Sequence, residues 1–157
     1  MNKKSQIFWL VTLRLVIGWH FLYEGVVKLA NPNWSSAGYL LDSQGFLKGF
    51  FYWLASDPAI LNVVDFLNVW GLIAIGLGLI LGLLTRVALW AGIVLLSFYY
   101  LSHPPFIGMS YGLPMEGSYL FVNKTLIEIV AMAVLLLFPT GMAIGMDRLV
   151  FRKVKTM

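Results

Sequence analysis

Long apolar runs, each interrupted by only a few polar residues, dominate this chain. The first runs from Ile7 to Leu29 and holds Arg14, His20 and Glu24. Lys3 and Lys4 precede it, as in a signal peptide, but the run is too long for an h-region and no small-residue cleavage site follows. The pattern therefore predicts a retained membrane-spanning helix over 7–29. The stretch from Asn31 to Ser56 is mixed. Within it Phe46, Leu47, Phe50, Phe51 and Leu54 recur at helical spacing, with Gln44 and Lys48 elsewhere on the wheel. That predicts a short amphipathic helix in the membrane interface, where Trp34, Tyr39, Tyr52 and Trp53 also suit the depth.

Asp57-Pro58 reads as an N-cap followed by a first-turn proline, opening a second span over 58–84. Gly78 and Gly82 form a GxxxG pair in it, a pattern that permits close helix packing in lipid. Thr85-Arg86 reads as a minimal turn, and a third span follows over 87–101. His103-Pro104-Pro105 stops that span. A Gly- and Pro-rich loop containing Glu116 leads to a fourth span over 123–138, ended by Pro139 and Gly141. The chain shows no internal repeat and no low-complexity tract. The expected fold is all-α and integral to a membrane: residues 1–157 form one four-helix transmembrane bundle, with the amphipathic helix in its first outer loop.

Composition agrees. Of 157 residues, 60% are hydrophobic and 11% charged, with a mean hydropathy of +0.84. Soluble domains carry about 25% charged residues. The net charge of +4 is spread too thinly for nucleic-acid binding and is better explained by topology. With four crossings, Lys3, Lys4, Arg86, Arg148, Arg152, Lys153 and Lys155 share one side, and Lys28, Lys48 and Lys124 the other. Positive residues favour the cytoplasm, so both termini are expected there, in the inner membrane, with the loops at 30–57 and 102–122 outside. There is no cysteine, which excludes disulfides, thiolate metal sites and a CxxC thiol relay.

Ionisable groups within a bilayer cost roughly 2.5–3.5 kcal/mol each on insertion scales and often mark function. His20, Glu24 and Lys28 are four apart and form one stripe, Lys124 and Glu128 make the same step, and Asn62, Asp65 and Asn68 share a face at three-residue spacing. All lie in the outer half, and they are expected to converge on an outward-opening polar pocket with His103 and Glu116 above it. The structural alternative is that Glu24–Lys28 and Lys124–Glu128 are ion pairs locking helices near the surface. Arg14, with no acidic residue near it in sequence, is expected to be structural. His20 and His103 are expected at different depths, which disfavours a shared haem, and no metal site is predicted.

The stretch LRLVIGWHFLYEGVVKL, Leu13–Leu29, resembles the opening signature of the DoxX/DoxD family in Arg14, Gly18 and Gly25–Lys28. The glycine-rich second span running into GLLTR, Gly82–Arg86, is similar to the family's second block. NKTLIE, Asn123–Glu128, resembles the last helix of the DoxD branch, and GMDRL, Gly145–Leu149, the family's end. The family's usual acid and paired glycine are not matched at Asn68-Val69-Trp70-Gly71.

Resemblance to the DoxD branch implies a membrane subunit of thiosulfate:quinone oxidoreductase, which oxidises thiosulfate to tetrathionate and passes electrons to quinone beside a DoxA-like second subunit. On that reading His20, Glu24 and Glu128 handle protons, while Lys28, Lys124, Asp65 and His103 bind substrate. Quinone is the expected cofactor, since no flavin or nicotinamide fingerprint is present. A non-catalytic protein that binds lipid or anchors a partner, and a transporter, are the rival classes. Membrane lipids are expected partners, and the oligomeric state, homo-oligomer included, stays open.

Overall fold

The computed structural model describes residues 2–113 and 120–152, with side chains to 150. Glu116, Lys153 and Lys155 lie outside that range. Every regular element in it is helical: α1 (Lys3–Ala30), α2 (Ala37–Leu41), α3 (Lys48–Ser56), α4 (Pro58–Leu81), α5 (Thr85–Ser102), α6 (Lys124–Leu137), α7 (Thr140–Ala143) and α8 (Asp147–Arg152).

Three of these, α1, α4 and α5, are long and apolar enough to cross a membrane. Helix α6 forms where a fourth span is predicted. Its 14 residues reach only about 21 Å at 1.5 Å per residue, short of a hydrocarbon core of about 30 Å. Asn123 caps it, its side chain accepting from Leu126 N at 2.9 Å. The expected cap before α4 also forms, with the Asp57 carboxylate accepting from Ala59 N at 2.7 Å and Pro58 in the first turn.

The α4–α5 turn departs from expectation. Helix α4 stops at Leu81, not at residue 84, because Gly82 turns left-handed at φ +64°. Thr85 and Arg86 are then the first turn of α5, not the connection itself. Leu84 is also left-handed, at φ +50°, a conformation costing a non-glycine residue about 1–2 kcal/mol. It is held by Asp147, whose carboxylate accepts from Leu84 N at 2.7 Å and Thr85 N at 3.1 Å.

The GxxxG pair is therefore not the packing seam. Helix α1 packs chiefly against α4, and the seam is built from Gly18, Gly25 and Gly76. A Cβ on Gly76 would lie 2.5 Å from Leu22 N; one on Gly25 would lie 2.7 Å from Ile73 Cγ1; one on Gly18 would lie 2.9 Å from Leu79 Cβ. Lipid supplies little hydrophobic drive for helix association, so such close approach is what holds two helices together there. Helix α5 bridges α4 and α6, and Met132 of α6 and Phe21 of α1 close over Gly92. Leu79, Leu89, Met132 and Leu135 form the sealed centre, while Trp9, Trp19, Phe66 and Trp90 face outward, as a bundle in lipid allows.

Arg14 is buried, 2% exposed, at the end of the bundle where the α4–α5 turn meets α7 and α8. Its Nη2 donates to Ile144 O at 2.8 Å, and the Asp147 carboxylate acts on it electrostatically. Its hydrogen-bond partner is thus a backbone carbonyl, and the acidic residue near it comes from the far end of the chain. Gly82, Gly141 and Gly145 leave room for this knot: a Cβ on Gly82 would lie 2.9 Å from Arg14 Nη1, and one on Gly145 would lie 2.9 Å from Gly82 Cα.

Helix α3 begins two residues after Phe46, which is fully outside the packing at 81% exposed, while Phe51 of the same predicted stripe is buried.

Candidate functional site

A cavity of about 490 Å³ opens at the bundle end opposite Arg14, between α1, α5, α6 and the two loops above them. Phe21, Leu72 and Leu96 give it an apolar floor. Successive members of the α1 stripe, His20, Glu24 and Lys28, climb its wall at about 6 Å of helix axis per step.

His20 and Glu128 meet across α1 and α6. The His20 Nδ1 lies 2.9 and 3.1 Å from the two Glu128 carboxylate oxygens. This hydrogen bond ties α1 to α6 at the side of the cavity. Glu128 is the more enclosed partner, its side chain 13% exposed against 48% for His20.

Higher on the wall, Lys28 Nζ donates to Asn68 Oδ1 at 3.0 Å and to Tyr99 Oη at 3.4 Å. It also lies over the rings of Trp34 and Tyr99, 5.1 and 5.5 Å from their centroids. Asn68 Nδ2 donates to Tyr99 Oη at 2.6 Å. This triad bridges α1, α4 and α5. Neither i, i+4 ion pair of the structural alternative forms among the described residues, and the partners lie across helices: Glu128 takes His20, and Lys28 takes Asn68 and Tyr99. Glu24 lines the cavity with no hydrogen bond to any described residue.

The roof is aromatic. His103, buried just beyond α5, stacks on Tyr39 at 3.9 Å between centroids and lies 4.7 Å from the Tyr111 ring. Its Nδ1 contacts Ser102 Oγ at 3.0 Å, and its Nε2 is 3.6 Å from Asp42 Oδ2, too long for a direct hydrogen bond. Burial holds the His103 pKa below its ordinary value, against the pull of Asp42, and pushes those of Tyr39 and Tyr111 up. Asp42 accepts from Gly112 N and Leu113 N at 2.9 and 3.0 Å, and these bonds hold its carboxyl below the usual range. Gln44 N and Ser43 Oγ both donate to Ser102 O, and Gln44 Nε2 donates to Ser110 O, so the two loops are laced together over the cavity.

Of the residues singled out in sequence, His20, Glu24, Lys28, His103, Lys124 and Glu128 all line this cavity. Asp65 is not among its walls. Its carboxylate accepts from Ser36 N at 2.8 Å and from Ser36 Oγ, pinning the loop before α2. Asp65 and Asn68 share a face, but one extra turn of height gives them different partners. Asn68, expected at the pocket, braces Lys28 and Tyr99; Tyr39, Tyr99 and Tyr111 were not assigned to the site from sequence. The aromatic–polar cluster at the end of α5, Tyr99 to His103, was the available signal.

The DoxX family matches residues 9–104, from α1 through α5 and into the roof. The chain belongs to the DoxX family. The match takes in Arg14 and Asn68 and, of the cavity walls, His20, Glu24, Lys28, Tyr39, Tyr99 and His103, while Tyr111 of the roof and the α6 wall lie beyond it. It stops before α6, so Lys124 and Glu128, and the stretches at 123–128 and 145–149, lie beyond it. No curated protein and no solved structure matches the chain.

Proposed function

We propose that this DoxX protein is the quinone-binding membrane subunit of a thiosulfate:quinone oxidoreductase and that the quinone headgroup occupies the cavity. The observation that carries the reading is one apolar-floored cavity combining the hydrogen-bonded pair His20–Glu128 with Lys28 and Tyr99, which Asn68 braces from behind. Quinone reduction consumes two electrons and two protons. Joining two thiosulfates into tetrathionate through a new S–S bond releases two electrons, delivered with a DoxA-like second subunit. His20, Glu24 and Glu128 carry protons to the quinone oxygens. Lys28 and Lys124 supply the positive charge that favours a dianionic donor and the reduced quinone. The likeness of Asn123–Glu128 to the DoxD branch supports the choice of donor.

The topology belongs to the same proposal. Helix α6, continued by Pro139 and α7, makes the fourth crossing, and both termini face the cytoplasm of the inner membrane, as the distribution of Lys and Arg favours.

The test is purification with the second subunit in mild detergent, followed by solvent extraction and a thiosulfate-dependent quinone-reduction assay. Retained quinone and turnover slowed by Glu128→Gln are expected. Extraction that yields phospholipid and no quinone, with no turnover, overturns the redox reading in favour of a lipid-binding protein.

A further inference from the structure

The Lys28–Asn68–Tyr99 triad has only one consistent hydrogen-bond arrangement. A lysine ammonium donates and never accepts, so the Asn68 atom 3.0 Å from Lys28 Nζ is the carbonyl oxygen. The Asn68 atom facing Tyr99 is then the NH₂ group, and the 2.6 Å contact runs from Asn68 to the phenol oxygen. Lys28 donates to that same oxygen at 3.4 Å. Both lone-pair directions of Tyr99 Oη are therefore occupied by donors. Its own proton has no acceptor among the described residues, and Tyr99 lines the cavity.

A phenol that accepts two hydrogen bonds, one from a cation, is polarised into a stronger donor. We propose that Tyr99 donates the hydrogen bond that recognises a carbonyl oxygen of the bound ligand, and that Asn68 is the positioning residue that turns the Tyr99 proton into the cavity. This rests on the quinone reading and narrows it. The cavity selects a ligand presenting a carbonyl acceptor at the height of Tyr99, above the His20–Glu128 pair. Lys28 serves the same end from behind, by loading the phenol oxygen.

The discriminating experiment measures binding of a short-tailed benzoquinone, and of its hydroquinone dimethyl ether, to the detergent-purified protein by tryptophan fluorescence quenching. Tyr99→Phe removes the donor and keeps the ring; it is expected to weaken the quinone roughly tenfold, a hydrogen bond's usual contribution, and the ether by less than about twofold. Asn68→Asp is nearly isosteric but replaces the NH₂ donor with an acceptor. The Tyr99 proton then turns to residue 68, and quinone binding is expected to fall by a similar factor although Tyr99 is intact. Thermal unfolding identifies variants that are merely misfolded, and Asn68→Leu, which leaves the phenol proton unclaimed, serves if Asn68→Asp does not fold. Wild-type protein that binds the quinone while Tyr99→Phe binds it equally well overturns the role of Tyr99 alone. Equal losses for quinone and ether also overturn it, since they indicate only altered shape. Wild-type protein that does not bind the quinone overturns the quinone reading itself.

Discussion

Two glycines on one helix provide a sharp test of what holds α1 to α4. In Gly76→Ala the new methyl would lie 2.5 Å from Leu22 N and 2.7 Å from Leu22 Cα and Cβ. Optimal separations are about 3.5–4.0 Å, so α1 must retreat by roughly 1 Å, and the obstacle is backbone, not the end of a flexible side chain. Overpacking of this kind costs about 1–3 kcal/mol. In Gly71→Ala, five residues earlier on α4, the same methyl meets nothing within 4 Å. There the better helix propensity of alanine contributes up to about 1 kcal/mol of stability. That propensity gain is common to both variants, so they should differ by the overpacking cost, about 1–3 kcal/mol. At about 2–4 °C per kcal/mol for a chain of this size, that is a gap of roughly 2–12 °C in thermal midpoint, measured in detergent. The consequence reaches the cavity, because α1 carries Lys28 and α4 carries Asn68, only 3.0 Å apart. Gly76→Ala should therefore also weaken ligand binding, and Gly71→Ala should not. Equal midpoints for the two variants would refute the close-packed seam.

At the other end of the bundle, Asp147→Asn should lower stability by about 1–3 kcal/mol, because Leu84 N and Thr85 N bond to different carboxylate oxygens, one of which becomes an NH₂ that cannot accept, and Arg14 loses a nearby negative charge; thermal unfolding reads the loss, and a neutral result would mean that the turn is held by something else. The roof should loosen in acid. Burial depresses the folded-state pKa of His103 below its unfolded value of about 6.5, so its contribution is complete above pH 6.5 and declines as pH falls from there towards the folded value. Asp42, also depressed, adds its loss only below the ordinary carboxylate range of about 3.9. His103→Phe should flatten the midpoint-against-pH curve between pH 6.5 and 5, and an unchanged slope would remove His103 as the cause. For the proposed topology, single cysteines can be labelled cleanly because the chain has none of its own. A membrane-impermeant reagent should reach Ser110→Cys and Asn33→Cys but not Thr156→Cys, and outside labelling at Thr156 would reverse the orientation. Ser43 is a poor reporter, since it is buried against Ser102.

The helices themselves were legible in the sequence, because runs such as Ile7–Leu29 can satisfy their backbone in an apolar setting only as helix, and local signals such as Asp57-Pro58 and Asn123 set their starts. The same local logic failed where a choice depended on a neighbour. Gly78 and Gly82 satisfy a packing motif, yet Gly82 ends its helix because Asp147 and α8 dock there, and the seam passes instead to Gly18, Gly25 and Gly76. The four-residue steps from His20 to Lys28 and from Lys124 to Glu128 predicted shared faces correctly, since helix geometry alone decides a face. Partners were another matter. Glu128 chose His20, Lys28 chose Asn68 and Tyr99, and Arg14 found the Ile144 carbonyl from the far end of the chain. Asp65 and Asn68 were indistinguishable by spacing, but one pins a loop and the other orients a phenol. Periodicity is a property of one helix and is written in its sequence. The partner of a polar side chain depends on the height and rotation of a second helix, and only the packing of α1, α4, α5 and α6 sets those.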